Sequence, residues 1–261
     1  MNIRLLHWGR SWEKLSRSGK WQFEYHPYCQ LEVCVRGKLL VRLPDREYVL
    51  QANDMLLIPP GIGHSVAYPD GGNEFYSLKF EASQSPENAI YAPASRFNAW
   101  CIRSFQQCHS AEAQFLLPID PESREIVEGL LMLAMQRLRR KSQPSAATEP
   151  EIFKKIRVST LTAGGCINVN ECAARLKMNA AQLNYQFAKE LKNFNLSADD
   201  YSVKKIIDEA VLYLIDRYLD FSDLSLSTIA KQMKFNNVYT FSRYYKRLTG
   251  FSPKERRSRR K

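Results

Sequence analysis

Hydrophobic positions follow two different periods along this 261-residue chain. From Trp21 to about Glu81 the apolar runs are short and broken by turn residues. Leu31, Val33 and Val35 alternate with Gln30, Glu32 and Cys34, the period-two signature of a strand. Gly37-Lys38 turns the chain into Leu39–Leu43, and Pro44-Asp45-Arg46-Glu47 turns it again into Tyr48–Leu50. Asn53-Asp54 then leads into Met55-Leu56-Leu57-Ile58, which stops at Pro59-Pro60-Gly61. Strands this short and evenly spaced predict a sandwich or barrel.

Beyond Pro121 the period becomes helical. Residues 121–141 place Ile126, Leu130, Leu133 and Arg137, with Val127, Leu131, Ala134 and Leu138, on one wide stripe. Pro121 and Glu122 suit the start of that helix, and Arg139, Arg140 and Lys141 suit its end. Such a stripe packs on the barrel, on another helix, or on a second copy of the chain. Residues 142–150 carry two prolines and no periodicity, which predicts a linker and a domain boundary. The expected domains are 1–141 and 151–261.

After the linker an opening helix is expected from Glu151 to about Leu161, with Ile152, Ile156 and Val158 or Ser159 inward. One device then occurs twice. Val169–Leu176 leads into Asn179–Glu190, and Leu226–Met233 leads into Asn236–Leu248. Each is a short amphipathic helix, a turn of about four residues, and a second helix opened by an Asn suited to N-capping. That is the layout of a helix-turn-helix, whose second helix enters the major groove of double-stranded DNA. A connecting helix over about Ser202–Leu219 would carry Ile206, Ala210, Tyr213 or Leu214, and Arg217 along one side.

Charge sharpens this division. Residues 1–150 hold 17 Lys+Arg against 16 Asp+Glu, whereas residues 151–261 hold 21 against 11. A near-neutral half joined to a basic half fits one part that handles a small molecule and another that meets a polyanion. The six cysteines contain no C-x-x-C pair, so reduced structural thiols are expected, with no metal and no disulfide framework. No apolar run approaches the roughly 18–20 residues that span a bilayer, and no signal-peptide pattern opens the chain, so a cytoplasmic location without membrane association is expected.

Two sets of residues carry a family resemblance. His26, Gly37 and the run Asn53-Asp54-Met55-Leu56-Leu57-Ile58-Pro59-Pro60-Gly61-Ile62-Gly63-His64 resemble the two characteristic stretches of a cupin-type jelly roll, and in particular the effector domain of AraC-family regulators. Phe235, Phe241-Ser242-Arg243, Lys246 and Gly250-Phe251-Ser252-Pro253 match the AraC-type DNA-binding signature at its spacing. The implied fold is α+β: an N-terminal cupin-like jelly-roll barrel with helices, then an all-α domain with two helix-turn-helix motifs.

The resemblance implies base contacts at Val238, Tyr239, Ser242 and Arg243 in the second recognition helix, with Lys246 beside them, and at Ala181, Asn184 and Tyr185 in the first. It also implies a homodimer, with RNA polymerase as a further partner. In the barrel, His26, Tyr28, Gln30 and Glu32 share a strand face by parity and, with His64, form the candidate pocket for a small-molecule effector such as a sugar. Trp8, Trp12, Trp21, Tyr25 and Tyr28 are either sugar-stacking rings or plain core. The donor set is too mixed for a metal site, since Gln30 stands where metal-binding relatives have Glu. No catalytic residue and no cofactor is implied.

The chain departs from the family pattern at several points. Lys177 and Lys234 occupy the turn positions where Gly is usual, and Lys there costs roughly 1 kcal/mol unless the turn avoids positive φ. The loop Lys192–Asn195 is long, and Arg256 replaces an aromatic residue. The run Arg256–Lys261 is expected to be disordered and to add phosphate attraction. Two rival readings stay open: a metal-dependent cupin enzyme with a fused basic domain, and a constitutive DNA-binding protein whose barrel takes no ligand.

Overall fold

A computed structural model describes residues 2–13, 23–67, 72–108, 120–141 and 149–258. Trp21, residues 142–148 of the expected linker and the last three residues of the basic tail lie outside this set, as does the side chain of Trp12. The chain divides into two compact units, residues 1–148 and 149–261. Among the described residues no helix is long and apolar enough to cross a membrane.

In the first unit two antiparallel sheets are formed. The larger comprises β1 (Ile3–Glu13), β7 (Asn73–Ala82), β2 (Cys29–Arg36), β5 (Met55–Ile58) and β8 (Ile90–Ala92), in that order across the sheet. The smaller has β3 (Lys38–Arg42) between β4 (Glu47–Gln51) and β6 (Ser65–Ala67). Strand β1 lies upstream of the segment in which the alternation predicted strands. So Trp8 is not a free stacking ring: it is buried, 5.8 Å from Tyr76 and 6.2 Å from Phe105 between ring centres.

Both faces of the large sheet are covered, which explains why β2 is buried at alternating apolar and polar positions alike. Leu31, Val33, Leu57, Tyr76 and Leu78 face outward onto α1 (Arg96–Gln107) and α2 (Pro121–Lys141), forming one core with Phe105, Val127 and Leu131. Cys34, Leu56, Ile58 and Phe75 face inward onto Leu39, Val41 and Leu50 of the small sheet.

Helix α2 is tied to β1 by polar bonds to Leu5, whose N–H donates to Glu128 Oε1 at 2.8 Å and whose carbonyl accepts from Arg124 at 3.0 Å. That docking divides the predicted stripe. Val127, Leu130, Leu131, Ala134 and Leu138 are buried, while Ile126 and Leu133 remain 45% and 44% exposed, and Arg137 is exposed with its guanidinium over the Phe97 ring.

The second unit is all helical: α3 (Glu151–Ala163), α4 (Val169–Arg175), α5 (Ala180–Asn193), α6 (Val203–Phe221), α7 (Leu226–Gln232), α8 (Val238–Thr249) and α9 (Pro253–Ser258). Glu149 and Pro150, assigned to the linker by composition, belong here. Glu149 pairs with Arg157 at 2.7 Å, and Pro150 occupies the N-cap position of α3. On α3 it is Ser159 rather than Val158 that is buried, together with Phe153.

The buried stripe of α6 runs through Ile206, Ile207, Ala210, Val211, Ile215 and Leu219. The expected line through Tyr213 or Leu214 to Arg217 follows one edge of that stripe, whose centre lies towards Ile207, Val211 and Ile215, so its second half is only half-buried or exposed. Asp216 and Asp220 of α6 hold the end of the unit. Tyr245 donates to Asp216 at 2.6 Å, and Arg256 bonds Asp220 at 2.7 Å. Arg256 is therefore a helical residue of α9 and an inter-helix anchor, correcting the expectation of a disordered run from that point. Because the Tyr245 hydroxyl is buried and its acceptor would lose a charge-assisted bond, Tyr245→Phe should cost about 1–3 kcal/mol in urea denaturation. An unchanged midpoint would show that this bond contributes nothing.

Candidate functional site

Helix α5 is set by local chemistry. Its cap Asn179 accepts from the N–H of Gln182 at 2.9 Å, and Gln182 Oε1 accepts from the Asn179 N–H at 2.9 Å. Helix α8 begins one residue later than expected, because Asn237 rather than Asn236 is the cap and accepts from Thr240 at 2.8 Å. Leu183, Phe187 and Leu191 bury one face of α5; Phe241 and Tyr245 bury one face of α8.

The opposite faces are open. On α5, Ala181, Asn184 and Tyr185 are exposed, and a shallow surface groove beside them is lined by Lys177, Gln182 and Lys189. On α8, Val238, Tyr239, Arg243 and Lys246 are exposed and Ser242 is half-buried. The Arg243 guanidinium lies 5.5 Å from the Tyr239 ring centre, which keeps the long side chain extended along the outer face.

Both turns adopt the left-handed conformation despite lacking glycine, with φ of 59° at Lys177 and 62° at Lys234. The reason lies in the backbone: Met178 N–H donates to Ala173 O, and Phe235 N–H to Ala230 O, both at 2.9 Å. A bond spanning five residues closes only when the residue before its donor turns left-handed.

In the first unit His26, Gln30, Glu32 and His64 come together. Ring centres of His26 and His64 are 4.8 Å apart, and Tyr28, half-buried, stacks on His26 at 4.3 Å. Gln30 Nε2 donates to Glu32 Oε1 at 2.5 Å, and Ser77 Oγ donates to the same oxygen at 2.8 Å. His64 is placed by a backbone bridge to Glu24. Tyr25 packs close to Gly63, where an added Cβ would lie 2.6 Å from its ring.

The cluster is wider than the sequence reading. Register places His7, Lys79 and Gln30 in one row across β1, β7 and β2, and Gly9, Ser77 and Glu32 in the next row sharing that face pattern. His7 lies in β1, upstream of the segment whose pattern predicts strands, and Ser77 and Lys79 lie in β7, for which no individual alternation is traced within that segment. The alternation of Ser77, Lys79 and Glu81 with Tyr76, Leu78 and Phe80 was the signal available.

The histidine tautomers follow from the partners. His26 Nδ1 lies 2.7 Å from the Tyr28 carbonyl and His64 Nδ1 3.2 Å from the Ile62 carbonyl. A carbonyl only accepts, so each proton sits on Nδ1 and each Nε2 is a bare acceptor while the ring is neutral. Burial, then the neighbouring His64 and Lys79, holds His26 well below its ordinary value; burial lowers His64 as well. Burial pushes the Glu32 carboxyl up, against its bonds to Ser77 and Gln30. His26 Nε2, His64 Nε2, Gln30 Oε1 and Glu32 Oε2 are all buried without a hydrogen-bond partner. Among the described residues no group of three or more His, Cys, Asp and Glu side chains is arranged to hold a metal ion.

Known proteins supply the context for these two sites. Residues 16–148 match the family model of the AraC-like ligand binding domain, and residues 172–259 match that of a helix-turn-helix domain. The arabinose operon regulatory protein of Escherichia coli (strain K12) is 23% identical over 241 residues, 87% of this chain and 80% of that protein. Among solved structures, unsaturated fatty acid-bound ToxT from Vibrio cholerae strain SCE256 shares the fold with a TM-score of 0.55 at 10% identity, over 98% of this chain and 95% of that one. ToxT from Vibrio cholerae O395 gives 0.54 at 11%, over 98% and 97%. Two facing antiparallel sheets matched as an AraC-like sensor over more than half of the sequence, followed by paired helix-turn-helix motifs, establish that the chain belongs to the AraC family of DNA-binding transcription regulators with an effector-binding domain.

Proposed function

We propose that the chain regulates transcription in response to a neutral, hydroxyl-rich effector such as a sugar, held among His26, Gln30, Glu32 and His64. The observation that carries this reading is the set of four buried, unpartnered polar atoms in that cluster. A buried acceptor without a partner costs about 1–3 kcal/mol, so a ligand supplying hydroxyl donors is stabilised by satisfying several at once. Tyr28, stacked on His26, offers a ring face, and Lys79 offers a donor to a ligand oxygen. In this reading Val238, Tyr239, Ser242, Arg243 and Lys246 of α8, with Ala181, Asn184 and Tyr185 of α5, face DNA. The open Ile126 and Leu133 of α2 support a homodimer, and RNA polymerase is the partner through which the bound regulator acts.

The test is a thermal-shift screen of the full chain against monosaccharides, polyols and fatty acids, read by tryptophan emission. All four tryptophans lie within residues 1–148, so the signal reports the sensor. A sugar or polyol should raise the melting temperature by mass action, about 2.7 kcal/mol of stabilisation at a hundredfold excess over Kd. His26→Ala or Glu32→Ala should abolish that shift and leave DNA affinity of the ligand-free protein unchanged. Stabilisation by fatty acids alone would reject the hydroxyl-rich ligand, and no response to any class would favour a constitutive DNA-binding protein.

A further inference from the structure

The two left-handed lysines are chemically unequal. Lys177 is exposed at the turn of the first motif, and its ammonium makes no hydrogen bond to another described residue. Lys234, at the same position of the second motif, reaches across 71 residues of sequence and donates to the Ala163 carbonyl at 2.7 Å. That oxygen belongs to the last turn of α3, where the helix dipole is negative and carbonyls lack intrahelical partners, so an ammonium there is doubly favourable.

The contact has a second component. Cys166 N–H donates to the Met233 carbonyl at 2.9 Å. Gly165 lies so close that an added Cβ would stand 3.0 Å from the Met233 carbonyl carbon and oxygen and 3.1 Å from Lys234 Cγ. The segment Ala163–Cys166 leads directly into the cap of α4, and Met233-Lys234 leads directly into the cap of α8. The turn of one DNA-reading motif is thus bonded to the entrance of the other, in addition to their connection through α6.

We propose that Lys234, with Gly165 beneath it, is a positioning residue that fixes the distance and angle between α5 and α8, and so restricts the spacing of the two half-sites the protein reads. The left-handed turn itself is set by the backbone bond, as at Lys177; what Lys234 adds is an ammonium that clamps the motifs together. The inference rests on both α5 and α8 meeting DNA, as proposed above. One added base pair shifts the half-sites by about 3.4 Å along the axis and rotates them by about 34°. A rigid pair of helices cannot follow that change; a hinged pair can.

The experiment uses the full chain. A bound duplex is selected from a random-sequence library, its two half-sites are mapped, and affinity is measured by fluorescence anisotropy with no, one or two base pairs inserted between them. Wild type should lose about tenfold in affinity per inserted base pair, equivalent to one good base contact. Lys234→Gly, which keeps the left-handed turn and removes the clamp, should lose about threefold or less. Lys234→Arg, which keeps a donor, should restore the wild-type penalty. Lys177→Gly makes the same backbone change without a clamp and should behave as wild type.

Gly165→Ala attacks the contact from the other side and should relax the spacing as Lys234→Gly does; if it fails to fold, Lys234→Gly alone decides. An unchanged spacing penalty in Lys234→Gly overturns the clamp. So does a uniform loss on every duplex with a salt slope reduced by about one, since that marks Lys234 as a phosphate contact. No spacing penalty in wild type overturns both the clamp and the two-helix reading.

Discussion

Arg243→Ala is expected to lower affinity for the selected DNA site by about 1–3 kcal/mol, roughly 5- to 150-fold, while random-sequence DNA is bound almost as well as before. Arg243 is an exposed residue of α8, and its planar head matches the O6 and N7 acceptors of guanine. Tyr239 beneath it reduces the freedom the side chain loses on binding, so part of the ordering cost is met before DNA arrives. On α5 the corresponding surface holds Ala181, Asn184 and Tyr185, of which Asn184 has the bidentate geometry for adenine. Asn184→Ala should therefore cost less than Arg243→Ala. Competition titrations at fixed salt distinguish reading from attraction. Equal losses on specific and random duplexes would make Arg243 a backbone contact and remove it from the reading set.

Acidification from pH 7.5 to 5.5 should destabilise the first unit and lower its urea midpoint. His26 and His64 are buried, and both titrate below their ordinary value, so the unfolded chain takes up protons near pH 6.5 that the folded chain refuses. Stability is full above about pH 6.5 and is lost as pH falls from there toward the lowered folded values. His7, lowered by burial and by Lys79, acts in the same direction. Glu32 opposes them, because burial raises its carboxyl and protonation relieves the cost of an ionised buried group. Three imidazoles act against this one carboxyl, so the expected net change is a loss.

All four histidines and all four tryptophans lie in residues 1–148, so tryptophan emission reads the unit that titrates. Tryptophan-detected urea denaturation at pH 7.5, 6.5 and 5.5 should show the loss, and His26→Gln with His64→Gln should flatten it. Equal midpoints at pH 5.5 and 7.5 in the unsubstituted protein would contradict a neutral histidine pair.

What was readable from the sequence is what short-range bonding controls. Helices α3 to α8 were placed with their order and approximate ends, because Asn, Ser and Gly caps form bonds within three or four residues. The one-residue error at α8 arose where Asn236 and Asn237 offer the same cap chemistry and only packing of Phe241 and Tyr245 chooses between them. The left-handed turns at Lys177 and Lys234 were legible as positions that call for it, but not as positions that adopt it; the five-residue backbone bonds decided that. The basic second half and the polar alternation Gln30, Glu32 were legible for the same reason, since both are properties of neighbours along the chain.

Tertiary structure decided everything that depends on residues far apart in sequence. Strand β1 pairs with β7 across some seventy residues, and that register, not any local pattern, brings His7 and Lys79 into line with Gln30. Burial of both faces of β2 gathered the polar face marked by the alternation into a buried cluster. Lys234 meets Ala163 only because α3 and α7 are packed in one core. Local hydrogen bonds select elements; burial and register, acting across the chain, select which polar groups face one another.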